Sequence, residues 1–379
     1  MIVLSTLILA VWIYLFFFHA RFWRLNWRLT TLTAQITGQN VAVIIPARNE
    51  AKTIERCLAS AFKQQISGII HVFLVDDNST DSTATLAPKV AREAAAADRL
   101  TVITGSALPS GWTGKVWAMQ QGWEAARATN PDFVLLTDAD IEHAPGNLAT
   151  LLAQAERGYD LVSLMVKLHC ETFAEKLLIP AFVYFFFLIY PPARIADARS
   201  KVAGAAGGCI LLRAKWLEQI GGFAGIRSEI IDDCNLAARV KHASGRLWLG
   251  ITDDAGSIRG YGTFANMSRM IARTAFNQLR HSVALLIACI VSMLLTFVAP
   301  IVLLASPELA PRTEAAIACA LIFASYVPVT VFYKLNPLRV FTLPVAAVFY
   351  LYSTLRSAVN YWRGEGGEWK GRTQDLGKS

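Results

Sequence analysis

The 379-residue chain is poor in charge: Asp, Glu, Lys and Arg together make up 17% of it. It also lacks several common signatures. No G-x-G-x-x-G follows the first apolar run and no G-x-x-x-x-G-K-[ST] loop occurs, which disfavours a dinucleotide-binding sheet and a P-loop. Its cysteines, Cys57, Cys170, Cys209, Cys234, Cys289 and Cys319, are scattered without C-x-x-C spacing, and two lie in apolar stretches, so they point to neither disulfides nor zinc. The histidines at 19, 71, 143, 169, 242 and 281 form no H-E-x-x-H and read as structural or surface residues. No internal repeat or low-complexity linker is present. A net charge of +8 would suit nucleic acid only if it formed a basic stripe on a recognisable binding module, and none is found.

What the chain has in excess is apolar residues, 54% of the total, concentrated toward the two ends. Residues 2–18 are uncharged and at the short limit for a membrane span; 282–305 and 315–333 are longer, and 340–355 contains Pro344 and is marginal. The first segment has no positive charge before it and no small-residue cleavage site after it, so it is expected to remain as an anchor. Arg21, Arg24 and Arg28 follow it among Trp23 and Trp27, the mixture found at a cytoplasmic interface. The net charge then suits the inner leaflet and its anionic lipids.

The polar middle alternates short β-branched runs with helical patterns. "VAVIIP" (41–46) precedes a helix expected over 50–65, "HVFLVDD" (71–77) one over 81–96, "LTVIT" (100–104) one over 115–128, and "FVLLTD" one over 145–156. Such alternation predicts β-α units around a mostly parallel sheet, which binds ligands at the carboxyl ends of its strands. The polar clusters "ARNE", "DDNST" and "DAD" fall at those ends.

In "FVLLTDADI" (133–141), an extended chain would turn Asp138 and Asp140 to one side and Ala139 to the other. Two such carboxylates repel and one pKa rises, unless a divalent cation, which suits hard oxygen ligands, relieves the cost. Turn residues before a helix started by Pro145 fit the same pattern. "GWTGKVWA" (111–118) sets Lys115 behind two glycines at a helix start, where phosphate is favoured, or marks a simple turn. "AGAAGGCILLR" (203–213) would let a ligand approach the backbone, or is a tight bend. "SEIIDDCNLAARV" (228–240) opens a helix that Asp232 or Asp233 could cap, worth about 1 kcal/mol. Residues 177–192 read as a monotopic interfacial segment or a buried helix. Residues 265–282 place Arg269, Arg273 and Arg280 among Met267, Met270, Ile271 and Phe276, a basic amphipathic helix for a membrane surface.

Taken in order, "PARNE", "VDDNSTDST", "GWTGK", "DAD", "GG" and "DDCNL", ending in apolar spans, resemble the family 2 glycosyltransferases over residues 41–280. The "GWTGKVWA" loop and "ARTAFNQLRHS" helix are most similar to the hopene-associated members of hopanoid biosynthesis, and next to ceramide glucosyltransferase-like enzymes. The resemblance implies an α/β GT-A domain, Rossmann-like with a mostly parallel sheet, over 39–262. Around it come an anchor at 1–20, an amphipathic helix at 263–281, and a membrane region with a cytoplasmic tail at 282–379. The implied setting is the bacterial inner membrane, with the catalytic domain in the cytoplasm.

The implied reaction moves a sugar, with inversion, from a nucleoside diphosphate donor, UDP-linked in this reading, to a lipid hydroxyl. The acceptor would be a hopanoid, another isoprenoid or a glycolipid precursor. By resemblance, Pro46, Ala47, Arg48, Asn49 and Glu50 border the nucleotide, Asp76 and Asp77 meet its base and ribose, and Lys115 and Asp138 lie by the diphosphate. Asp138 and Asp140 correspond to a D-x-D pair holding Mg²⁺ or Mn²⁺, which stabilises the leaving diphosphate. Asp233 corresponds to the general base, which must sit across the sugar from the metal. Gly207, Gly208, Asp232 and Arg273 fall in the acceptor region. Two departures stand out. Met270, Ile271, Ala272, Arg273 and Thr274 replace the Q-x-x-R-W of processive members, and Asp232 replaces a glutamate. Nucleotidyl transfer to a phosphorylated acceptor, marked by pyrophosphate release, and a non-catalytic membrane scaffold without metal-dependent nucleotide binding are the alternatives.

Overall fold

The run VAVIIPA becomes β1 (Val41–Ala47), buried along its whole length, as a strand covered on both faces must be. The structure, a computed structural model, describes residues 1–29, 38–365 and 370. The other strands are β2 (Ile70–Asp76), β3 (Leu100–Thr104), β4 (Phe133–Thr137), β5 (Ile141–His143), β6 (Leu161–Lys167), β7 (Cys209–Arg213) and β8 (Leu247–Ser257). They form one sheet in the order β3-β2-β1-β4-β7-β6-β8-β5. The expected parallel half is there, β3, β2, β1 and β4 running the same way. The other half is mixed: β7 is antiparallel to both β4 and β6, β8 is parallel to β6, and β5 is antiparallel to β8.

The expected helices are observed in shortened form, at Ile54–Phe62, Thr83–Glu93, Gly114–Ala126 and Asn147–Glu156. The first begins four residues late because its would-be first turn is used elsewhere. Asn49 N–H donates to Ser79 Oγ (2.9 Å), Glu50 N–H to Thr83 Oγ1 (2.8 Å) and Ala51 N–H to Asp81 Oδ2 (3.1 Å), while Thr80 N–H donates to Asn49 Oδ1 (2.8 Å). These bonds lock the loops after β1 and β2 together at the carboxyl edge of the sheet. The helix itself then buries Ile54, Cys57, Leu58 and Ala61, the i, i+3, i+4, i+7 face of an amphipathic helix.

The chain divides into two compact units: one of Trp27–His169, Arg194–Arg259 and Gly367–Ser379, containing the sheet, and one of Met1–Asn26, Cys170–Ala193 and Gly260–Gly366, which is helical. The helical unit contains Ile2–Ile13, Phe173–Ile189, Phe264–Gln278, Val283–Met293, Leu309–Phe332 and Leu343–Trp362. Phe173–Ala196, Val283–Leu303, Leu309–Phe332 and Pro337–Trp362 are long and apolar enough to cross a membrane; Ile2–Phe18 is shorter. The last of these is longer than the marginal stretch 340–355 read from the sequence. Pro344 does not interrupt the segment but lies in the first turn of Leu343–Trp362, where its missing N–H costs nothing.

Two features bear on which helices cross. Residues 170–193 connect β6 to β7, and these strands pair directly, Ser163 opposite Ile210. A single crossing would place paired strands on opposite sides of a bilayer, which argues against one for Phe173–Ile189, and the helix buries Leu177, Leu178, Ile179, Val183 and Phe187 within the protein, as the buried-helix reading expects. The amphipathic helix Phe264–Gln278 buries Met267, Ser268, Ile271, Ala272 and Phe276 on one face and leaves Arg269 and Arg273 exposed. It packs along the last helix: Ser357 Oγ accepts from Phe276 N–H (3.0 Å), and Ser353 Oγ and Ser268 Oγ are 3.2 Å apart.

Candidate active site

The D-x-D acids lie just past β4 in a turn, not in extended chain, so alternation is not what separates them from Ala139. Ile141 N–H closes the turn on Asp138 O (3.2 Å), Ala139 is buried, and both acids are partly exposed. Behind them His143 is buried and its pKa is pushed down to about 4 by burial, which keeps the ring neutral. Its partners fix the tautomer. Asn147 Nδ2 donates to Nδ1 (2.9 Å), so Nε2–H donates to Thr137 Oγ1 (2.9 Å), whose own proton goes to Gly208 O (2.9 Å). This chain ties the acidic turn to the Gly207–Gly208 loop and confirms His143 as a structural residue.

Lys115, in the first turn of Gly114–Ala126, reaches two acids at once: Asp138 Oδ1 at 2.9 Å and Asp232 Oδ2 at 3.1 Å. Burial opposes its charge, but Asp138 and Asp232 outweigh that and raise its pKa. Asp138 is itself raised, first by burial, with Lys115 opposing and Asp140 adding to it. The helix Asp232–His242 is capped by Ile231 without any side-chain bond, which corrects the reading of Asp232 or Asp233 as its cap. Both acids sit inside the first turn, where the helix dipole favours them. Asp233 accepts Gly207 N–H on Oδ2 (2.8 Å) and Cys234 N–H on Oδ1 (2.7 Å). Burial, then the Asp232 charge, push it up to about 6 against the pull of Lys115 and these N–H groups.

One cleft is lined by Lys115, Asp138, Gly207, Asp232 and Asp233, together with Pro46 and Thr137. Gly207 borders it closely: a Cβ there would come within 3.2 Å of Asp233 Oδ2 and 3.5 Å of Lys115 Nζ. Gly208 faces the other way, toward the side chains of Val166 and Ile141, so it shapes the bend and does not border the cleft. Arg273 belongs to the helical unit and is exposed there.

A second set of charges lies at Asp140. Arg259, two residues beyond the end of β8, donates from Nε to Asp140 Oδ2 (2.9 Å) and pairs through Nη2 with Glu50 Oε2. Lys370 Nζ takes the other Glu50 oxygen, Oε1, at 2.6 Å. Arg259 escapes sequence reasoning, since its one local signal is a basic residue entering "RGYG" after a strand. Nearby, Arg48 donates through Nη1 to the carbonyl of Asp77 and lies 3.6 Å from Asp77 Oδ2. Asp76 Oδ1 is buried without a hydrogen-bond partner among the described residues. A buried acceptor of that kind is costly unless something supplies a donor. Ala47 is buried within β1, and Asn49, at φ 53°, turns the chain toward the second loop.

No group of three His, Cys, Asp or Glu that could hold a metal gathers among the described residues, so a metal at the acidic turn would draw on the carboxylate pair Asp138 and Asp140. That donor set fits Mg²⁺ or Mn²⁺, hard ions bound by one or two carboxylates with water and substrate phosphate filling the other positions. Both acids already draw positive charge, Lys115 at one and Arg259 at the other.

Residues 42–221 match the family model described as glycosyl transferase family 2. The undecaprenyl-phosphate 4-deoxy-4-formamido-L-arabinose transferase of Pseudomonas fluorescens is 32% identical over 126 residues, 33% of this chain and 34% of that protein. The 4,4'-diaponeurosporenoate glycosyltransferase of Staphylococcus haemolyticus is 35% identical over 106 residues, 28% of this chain and 25% of that one. The chain thus spans about a third or less of these curated relatives. Among solved structures, a mannosyltransferase from Pyrobaculum calidifontis in complex with GDP-Man and Mn²⁺ has the same fold, with a TM-score of 0.52 at 20% identity over 94% of this chain and 99% of that one.

Proposed function

We propose that the protein is a family 2 glycosyltransferase that transfers a sugar, with inversion, from a nucleoside diphosphate donor to a lipid hydroxyl at the inner membrane, a reading supported by the family model over residues 42–221 and the shared fold. The observation that carries this reading is the cleft in which Asp138 and Asp233 are bridged through Lys115 and Asp232. Donor and acceptor chemistry need opposite ends of one site, and this cleft has a cationic, metal-compatible end and a basic end.

At the donor end, Lys115 neutralises charge that grows on the departing diphosphate, a role suited to a fixed cation in a half-buried cleft. Mg²⁺ or Mn²⁺ held by Asp138 and Asp140 would supply Lewis-acid stabilisation of the same oxygens. The partnerless Asp76 Oδ1 supports a ribose or base contact, and Arg48 holds the Asp77 side of that loop in place. At the acceptor end Asp233 takes the hydroxyl proton. Its two backbone N–H donors orient the carboxylate, and a pKa near 6 leaves it ionised yet basic at neutral pH. Asp232 holds Lys115 beside this base.

The relatives named for undecaprenyl phosphate and for 4,4'-diaponeurosporenoate support a lipid acceptor of isoprenoid type. Within that class we place a hopanoid hydroxyl first, because a phosphate acceptor is largely ionised already and has little need of a base such as Asp233. The sheet unit lies in the cytoplasm in this reading, where nucleotide sugars are made, with residues 1–20 as anchor. Lys370 belongs to the sheet unit, which supports a cytoplasmic tail and an even number of crossings after Gly260. The last helix, packed on the amphipathic one, is then the segment that does not cross.

The test is product analysis with the purified chain in lipid. Release of nucleoside diphosphate that depends on a lipid acceptor and on Mg²⁺ or Mn²⁺ is expected; pyrophosphate would instead reveal nucleotidyl transfer, and no product from any donor would overturn the reading.

A further inference from the structure

The two acids that suit a metal are each held by a cation that also has a second carboxylate. Lys115 joins Asp138 to Asp232, and Arg259 joins Asp140 to Glu50. The arrangement is the same on both sides. Each cation can release its D-x-D acid and keep a charged partner, so release does not strand a buried charge, which would otherwise be costly. Glu50 is better supplied still, since Thr53 Oγ1 donates to Oε2 at 3.0 Å and Lys370 holds Oε1.

The position of Arg259 adds to this. Ile258 N–H donates to Asp140 O (2.8 Å), and Ser257 pairs with Ile141 across β5 and β8. The end of β8 is therefore fastened to the backbone of the acidic turn itself, and Arg259 is delivered to Asp140 by that pairing. Ser257 Oγ, bonded to Arg259 O at 3.2 Å, holds the segment that carries it. A lone divalent ion meets Asp138 and Asp140 already neutralised, and must compete with two positive side chains for their oxygens. A diphosphate brings the negative charge that Lys115 and Arg259 would otherwise lose on letting go.

Building on the glycosyltransferase reading, we propose that Arg259 is a placeholder cation: it keeps the D-x-D pair closed to free metal and swings from Asp140 to the donor diphosphate, so that metal and nucleotide bind together. Glu50 is its pivot. The two ligands are then positively coupled, and the coupling is reciprocal: nucleotide tightens metal by the factor by which metal tightens nucleotide. Couplings of this kind amount to about 5- to 150-fold in affinity.

The experiment measures Mn²⁺ binding to the full chain in nanodiscs by electron paramagnetic resonance, with Mn²⁺ alone and with saturating UDP or, in parallel, GDP. The wild type is expected to bind Mn²⁺ weakly alone and at least about fivefold more tightly with nucleotide. Arg259→Gln should bind Mn²⁺ alone more tightly than the wild type and lose most of the nucleotide effect. Arg259→Lys, which keeps the charge but has only one point of attachment, should fall between them, and it keeps the test open if the glutamine variant does not fold. An Arg259→Gln protein, folded by circular dichroism, with unchanged Mn²⁺ affinity and unchanged coupling would overturn the placeholder role while leaving the metal site standing. A wild type that binds no Mn²⁺ under any condition, matched by Asp140→Asn, would remove the metal site and the placeholder with it.

Discussion

Replacing Asp233 by Asn tests the base most sharply. The change conserves shape and keeps an oxygen for one of the two N–H donors, Gly207 or Cys234. It removes the only feature the reaction needs, a carboxylate that can accept a proton. The expected loss is about 10² to 10⁴ in kcat, with donor affinity little changed, because only proton transfer has been lost. The wild-type pH profile gives the second readout. With the carboxyl pushed up from 3.8 to about 6, kcat/KM should fall as pH drops through that value, by about tenfold between pH 7 and pH 5. Asp232→Asn removes one of the charges that raise Asp233, so the acid limb should move to lower pH, although burial still holds it above the ordinary value. Stability runs the opposite way. A carboxyl raised on folding binds more protons in the native state, so stability declines as pH climbs from about 4 to 6, and Asp233→Asn should flatten that slope. The assay is initial-rate sugar transfer to lipid across pH 5 to 8. A fully active Asp233→Asn enzyme, or a flat profile, would refute the base and favour an acceptor already ionised, such as a lipid phosphate. An equal loss of donor affinity would place the residue in the nucleotide site instead.

Asp140→Asn should cut turnover strongly at ordinary Mg²⁺ or Mn²⁺ with the fold retained, and normal activity with normal metal dependence would remove that role. Gly207→Ala should slow transfer while leaving nucleotide binding near normal, since its methyl would press on Asp233 and Lys115; kinetics against acceptor and nucleotide separately will show it. A reporter fused after Ser379 should be inactive as alkaline phosphatase, because Arg356, Arg363 and Lys370, with Arg372 and Lys378 outside the described residues, keep the tail inside.

The parallel half of the sheet could be read from the sequence because it rests on local signals: unbroken β-branched runs, each ending in polar residues. Asp138 stands out as half of a carboxylate pair at a strand end, whereas Asp233 reads from its own surroundings only as a possible helix cap and is singled out through the family resemblance; the structure brings both acids to one cleft. The mixed half of the sheet was not legible. Strands β5 and β8 pair across more than a hundred residues, Ile141 with Ser257, and no periodicity announces such a pairing. Arg259 was missed with them, since only that pairing carries it to Asp140. The D-x-D acids fit either extended chain or a turn, because alternation and turn composition look alike over three residues; the bond from Ile141 N–H to Asp138 O decides for the turn. Pro344 leaves the stretch 340–355 marginal because a proline fits either inside a short span or in a first turn, and only the helix start decides between them.

The central claim is that sugar passes from a nucleotide to a lipid in this cleft. Lipid mass spectrometry of cells carrying the protein, its Asp233→Asn variant or neither tests it most directly. The account predicts a glycosylated lipid present only with the active protein; identical lipid profiles in all three would contradict it.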